Sequence, residues 1–187
     1  MDAPAQAQSK IRSILARYAA TAVVALVLMG VLGLVIASRQ GGATQGLNLE
    51  PAPDFTTILY SGGTGEFTLS AQRGHPVVLN FWGSWCPPCR AEFPALQRAA
   101  DQYKDQGVVF FGVDVQDTRA DAQQFRAEQG TTFFTGPDLD NRITIDYQVT
   151  NFPTTFFITR DGTIYKRWVS LIDDKHLMQN IEELLKL

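Results

Sequence analysis

The chain has 187 residues, of which 45% are hydrophobic and 11% aromatic, enough for one packed domain with an appendage and too apolar for a disordered chain. The formal charge is -3, so there is no basic footprint of the kind nucleic acid selects. Up to Arg39 the chain holds four of its 16 basic residues and one of its 19 acidic ones, which leaves 12 against 18, a net of -6, for the remainder.

Residues Ala19 to Ala37 carry no charged side chain and are mostly Ala, Val and Leu. At about 1.5 Å per helical residue they approach the ~30 Å of a bilayer core. Basic residues precede this stretch, so the positive-inside rule puts the N-terminus in the cytoplasm and the rest outside it. Two readings stay open. One is a retained anchor over 18–38 behind a cytoplasmic segment, 1–17. The other is a cleaved export signal ending near Val35-Ile36-Ala37. Both export the remainder of the chain.

Residues 39–52 read as a polar linker, and 53–187 as the folded domain. Phe55 to Leu59 and Glu66 to Leu69 are short extended runs around a Gly-rich turn, a predicted β-hairpin. Pro76 to Trp82 is a near-continuous apolar run, as in a central parallel strand covered on both faces. Phe93, Leu96, Ala99, Ala100 and Tyr103 recur at helical spacing, predicting a helix from about Pro88 to Lys104. Val108 to Val115 reads as a second buried strand. Thr118 is placed to cap a helix running to about Gln129. A short extended piece is expected at Thr131 to Thr135, and a short helix from Leu139 to Tyr147. Thr154 to Thr159 is the third main strand, and Asp161-Gly162 turns it back into Thr163 to Val169. A last helix from about Asp173 puts Leu177, Ile181, Leu184 and Leu185 on one stripe. Strands alternating with helices, then a terminal hairpin, indicate an α/β sandwich around a mixed sheet.

Cys86 and Cys89 are the chain's two cysteines, at the end of the first strand where the helix begins. Thiols so spaced at a helix start close into a disulfide with little distortion. The first also lies among free backbone N–H groups at the positive end of the helix dipole, which stabilise a thiolate, the species that attacks disulfides. Zinc needs further ligands, and His75 and His176 are isolated. Haem attachment needs His after the second cysteine, where Arg90 stands. A purely structural bridge over so short a loop constrains little chain entropy. A redox pair is the reading that fits, with no metal and no cofactor.

Val78-Leu79-Asn80-Phe81-Trp82, Trp85-Cys86-Pro87-Pro88-Cys89 and Phe152-Pro153-Thr154-Thr155-Phe156 resemble thioredoxin-fold proteins. More narrowly, they resemble the membrane-anchored thiol-disulfide oxidoreductases of the TlpA and ResA type, a redoxin branch related to AhpC/TSA proteins. The inserted αβ unit between Asp117 and Thr135 is similar to that branch. The resemblance implies a thioredoxin-like sandwich with a mixed sheet, an N-terminal hairpin and one preceding transmembrane helix. It implies an extracytoplasmic enzyme reducing disulfides in partner proteins, with apocytochrome c first among substrates and copper-site assembly proteins second. A membrane thiol-transfer protein would supply electrons.

In that reading Cys86 attacks and Cys89 resolves. Pro87 removes an N–H that would otherwise support the Cys86 sulfur, which points to a reducing couple. Pro153 is implied to be cis and to face the pair. Trp85, Pro87, Pro88, Phe152, Pro153 and Thr154 then form the substrate surface. Asn151 departs from the family's usual Gly, and a left-handed Asn would preserve the turn. Glu92 reads by position as an exposed helix residue, but the resemblance makes it the proton acceptor for Cys89. Trp82 is expected in the core. Asp114 and Asp117 read as solvated residues at a loop start. The rivals are a peroxiredoxin-type thiol peroxidase, disfavoured because Ser84 and Trp85 precede Cys86, and a redox-inert peptide-binding or chaperone module.

Overall fold

The computed structural model describes residues 50–60 and 65–187. The anchor read over 18–38 and the cytoplasmic segment before it lie outside the described residues. Within them, no helix is long and apolar enough to cross a membrane.

The described residues form eight strands and four α-helices. In chain order they are β1 (Glu50–Pro51), β2 (Thr56–Ile58), β3 (Glu66–Thr68), β4 (Val77–Trp82), α1 (Pro87–Tyr103) and β5 (Val109–Val115). Then come α2 (Arg119–Gln129), β6 (Phe134–Asp138), α3 (Arg142–Asp146), β7 (Thr154–Ile158), β8 (Thr163–Val169) and α4 (Asp174–Leu184). Six strands form a mixed sheet in the order β1-β8-β7-β4-β5-β6, and β2 pairs with β3 in the expected hairpin. This is the thioredoxin-like sandwich, with helices on both sides of the sheet.

Strand β4 is central, as its apolar run implies, but only one neighbour is parallel. It runs parallel to β5 and antiparallel to β7. Glu50 and Pro51, within the stretch read as linker, pair with Ile164 and Thr163 and extend the sheet by one short strand.

Two elements sit a few residues from their expected places, for identifiable reasons. Strand β6 runs over Phe134–Asp138 rather than 131–135 because Gly136-Pro137 looks like a breaker but lies on an edge strand, where a missing N–H is tolerated. Gly136 is also required there, because a Cβ would run into the Ile58 carbonyl. Helix α3 is short, Arg142–Asp146, and is capped from outside: Asp138 accepts from the backbone N–H groups of Ile143 (3.1 Å) and Thr144 (2.8 Å). Helix α2 starts where Thr118 predicts, with Oγ1 accepting from the Asp121 N–H.

Side chains alternate across the sheet. Val77, Leu79, Phe81, Phe111, Val113 and Phe156 pack with the hairpin and with Ile143 of α3. Val78, Trp82, Phe110 and Phe157 pack with α1, α2 and α4 through Phe93, Phe125 and Leu177.

Candidate active site

The end of β4 delivers the chain into Gly83-Ser84-Trp85 and then α1. Gly83 is required by close approach, since a Cβ would meet the Trp85 ring. Trp85 folds back so that its indole N–H donates to the Val115 carbonyl at 3.0 Å. Its ring stands edge-on to Phe152 at 5.5 Å and is 48% exposed. Trp82 is fully buried between Phe93 and Phe125, as expected.

Cys86 is the N-cap of α1 and is disulfide-bonded to Cys89. Cys86 is 3% exposed and Cys89 0%, so the first sulfur is only slightly nearer solvent in this oxidised state. The Cys89 N–H donates to the Cys86 sulfur at 3.2 Å. Pro87 and Pro88 fill the first turn, where helical N–H groups have no partner, and neither has an N–H to offer that sulfur. Both prolines are exposed.

The Phe152–Pro153 peptide is cis, and the Pro153 carbonyl accepts from the Ser170 N–H at 2.9 Å. Phe152 is half-buried and pairs with Trp85, so these two rim residues do come together. Thr154, expected on the substrate surface, is instead fully buried: its hydroxyl donates to the Asn151 carbonyl at 2.7 Å and braces the turn from within. Asn151 is not left-handed; nearby positive φ angles fall on Gln148 (51°) and Ser170 (85°). The turn is therefore held by the Thr154 hydroxyl rather than by Asn151 backbone geometry.

Glu92 lies one turn beyond Cys89 on α1 and is 1% exposed, which removes the exposed-surface reading. Oε1 accepts from the Asn80 side-chain amide at 2.7 Å, and Oε2 from the Ile172 N–H at 3.0 Å. The Asn80 amide also donates to Thr155 Oγ1 at 3.0 Å. Burial pushes the Glu92 carboxyl up to about 7, against the pull of the bonds from Ile172 and Asn80. Such a group exchanges a proton near neutral pH.

Asp114 is not a solvated loop residue, whereas Asp117 does lie at the loop start after β5, half-buried. Asp114 is 2% exposed on β5, where Tyr60 Oη donates to Oδ2 at 2.9 Å. Asp117 accepts from the Ser84 N–H at 2.6 Å and from its hydroxyl at 2.7 Å. The missed signal was Asp114's place inside an apolar strand, on the side of the sheet that also presents Asn80. Two isolated residues behave as read: His75 Nδ1 lies 3.1 Å from the Gly107 carbonyl in a turn, and His176 pairs with Asp173 at the start of α4. Among the described residues no cluster of His, Cys, Asp or Glu is arranged to hold a metal ion.

The AhpC/TSA family profile matches residues 49–167. The thiol-disulfide oxidoreductase ResA of Bacillus subtilis is 32% identical over 142 residues, covering 75% of this chain and 78% of that protein. ResA of Bacillus thuringiensis is 30% identical over 167 residues, covering 88% and 92%. A solved structure from Chlorobium tepidum, described as a DsbE-type thiol:disulfide interchange protein, is 33% identical with a TM-score of 0.68 and covers 73% of this chain and 96% of that one. A secreted Mycobacterium tuberculosis disulfide oxidoreductase is 28% identical with a TM-score of 0.63, covering 70% and 96%. With a cysteine pair capping α1 and these relatives matched over most of their length, the chain belongs to the AhpC/TSA family and is, like ResA, a thiol-disulfide oxidoreductase.

Proposed function

We propose that this enzyme works outside the cytoplasm, tethered through residues 18–38, and reduces disulfides in partner proteins. The observation that carries the reading is the buried Glu92 carboxyl, one turn from Cys89 and suited to titrate near neutral pH. In the reduced enzyme the Cys86 thiolate attacks a substrate disulfide, forming a Cys86–substrate bond and releasing one substrate thiolate. Cys89 passes its proton to Glu92 and attacks the Cys86 sulfur. The second substrate thiolate leaves, and the enzyme is left with the Cys86–Cys89 disulfide. Two electrons have passed from the enzyme dithiol to the substrate, and a membrane thiol-transfer protein would return them.

Trp85, Pro87, Pro88 and Phe152 form the rim over which an extended substrate segment would lie, beside Pro153. With one backbone donor at the Cys86 sulfur, the thiolate has little support, which favours a reducing couple. Apocytochrome c, whose haem-binding thiols must be reduced before ligation, is the first substrate to test, and copper-site assembly proteins are the second. The experiment is Cys89→Ala in the native host, with isolation of whatever remains covalently joined to Cys86. Recovery of an apocytochrome supports the reading. Recovery of oxidised folding substrates, together with a strongly oxidising couple on glutathione equilibration, overturns it.

A further inference from the structure

The connection from β8 to α4 touches both halves of the site. Val169 ends β8 opposite Thr154, so Ser170 falls opposite Pro153, and its N–H donates to the Pro153 carbonyl at 2.9 Å. Two residues on, the Ile172 N–H donates to Glu92 Oε2 at 3.0 Å, and the Ile172 side chain is fully buried in the core with Phe93 and Leu177. In a regular strand the N–H groups of residues two apart point to the same neighbour. Here they reach different elements, β7 and α1, because the chain turns between them. Ser170 has φ 85°, in the left-handed region that residues with a Cβ adopt only under constraint. The Trp168 indole N–H pins the far side of the turn, donating to the Leu171 carbonyl at 3.3 Å. The Ser170 side chain is exposed, so what this position supplies is its backbone.

We propose that Ser170 is a positioning residue: its left-handed turn makes Ser170-Leu171-Ile172 a strap that fixes the Pro153 turn through one N–H and holds the Glu92 carboxylate through the other. The strap acts on the reaction only if Glu92 accepts the Cys89 proton, as proposed above. That role needs an ionised carboxyl before each transfer, in a place where burial favours the neutral form. The Ile172 N–H opposes burial by donating to the anion, and the Asn80 amide is the second such donor. No neighbouring charge takes part. The amide of Asn80 on β4 is itself bonded to Thr155 of β7, and both are uncharged. Charged side chains of the adjoining elements are engaged elsewhere: Arg90 with Glu128, Arg98 with Asp174, Asp173 with His176, and Lys166 with Asn180. A slack strap would leave Glu92 protonated at neutral pH and would release the Pro153 turn at the same time.

The test uses the full-length protein in detergent. In the oxidised form neither cysteine titrates, so the strap is followed without turnover, and its failure is separate from failure of the acceptor role. The Glu92 carboxyl carbon and the Ile172 amide nitrogen are followed from acid to alkaline pH. They should share one step near pH 7. An Ile172 amide that ignores the Glu92 step overturns the proposal without any variant. Ser170→Gly and Ser170→Asn, which both enter the left-handed region readily, should keep that step in place. Ser170→Val, whose branched Cβ disfavours that region, should move the step upward by about one pH unit. A Val variant that titrates where wild type does removes the positioning role. So does an equal shift in all three variants, which would trace to the lost hydroxyl.

The second readout is kinetic, in the reduced protein. At about pH 7, Ser170→Val should resolve a mixed disulfide roughly fivefold more slowly than wild type, and rejoin it at alkaline pH, where Glu92 is ionised in both. KM for a protein substrate should rise as the Pro153 turn loses its tie, whereas Glu92→Gln should leave KM unchanged. If Glu92→Gln resolves as fast as wild type while oxidised Ser170→Val still shifts, the acceptor role fails and the strap stands. Slowing of Ser170→Val by the same factor at every pH overturns the hold on Glu92, and an unchanged KM overturns the tie to Pro153.

Discussion

The two faces of the central sheet are cut from the same strands and made of different chemistry. Towards the hairpin and α3 the strands present mainly apolar groups, with Thr154 and Asp138 buried among them, and Phe67 stacks on Phe111 at 3.9 Å while Phe81, Tyr147 and Phe156 meet edge to face or tilted. Towards α1, α2 and α4 the same strands insert Asn80, Asp114, Thr135 and Thr155 among apolar neighbours, and α1 adds Glu92. The first face holds the fold together through close aromatic packing. The second gives up some of that packing for buried polar groups, among them the carboxyls of Glu92 and Asp114, whose burial raises their affinity for a proton. A strand such as Val77–Trp82 that reads as apolar on both faces can therefore serve two purposes, separated by the alternation of side chains.

That contrast breaks most sharply if a change on one face moves the property of the other. Cys86→Ser should reduce disulfide exchange to the uncatalysed background, read by insulin reduction, without changing the denaturation midpoint of the reduced protein. Residual exchange well above background would place the nucleophile elsewhere. On the opposite face, Phe111→Ala should cost about 3–5 kcal/mol of stability by chemical denaturation. The folded fraction should still exchange at the wild-type rate.

Glu92→Gln sharpens the comparison because it should affect both properties in opposite directions. Loss of the proton acceptor should slow resolution of the mixed disulfide roughly a hundredfold near neutral pH. Stability should respond with the other sign. The folded pKa of Glu92 is raised above its unfolded value, so its favourable contribution is complete below about 4.5 and is lost as pH rises through about 7. The loss is on the order of 3 kcal/mol, and Asp114 adds a decline in the same direction. Urea midpoints should therefore fall from mildly acidic to alkaline pH in the wild type and fall less in Glu92→Gln. A wild-type midpoint that rises over that range would contradict the burial assigned to both acids. The smallest effect belongs to the rim: Trp85→Ala should raise KM for a protein substrate several-fold, about 0.5–1.5 kcal/mol, with kcat little changed.

Much of this was legible in residue order. Helical spacing after Cys89, the cap at Thr118, the turn at Asp161-Gly162 and the apolar runs of β4, β5 and β7 depend on neighbours within a few residues, and each appears where local chemistry puts it. The departures have a common origin in distant contacts. Strand β6 was shifted because whether Pro137 is tolerated depends on its lying at a sheet edge. Thr154 turned inward because the Asn151 carbonyl needed a donor.

Sequence alone determined the cysteine pair at the head of a helix, the order of strands and helices, and the tryptophans that separate core from rim. Its spacing is short-range, and a reactive disulfide spanning three residues is a short-range device. Only the tertiary structure decided the protonation chemistry around that pair. Burial raises the pKa of both Glu92 and Asp114, and the bonds that oppose it come from Ile172 and Asn80, respectively 80 and 12 residues from Glu92, and from Tyr60, 54 residues from Asp114. A carboxyl's affinity for its proton depends on what excludes water from it and which dipoles face it, and folding brings those groups together from remote parts of the chain.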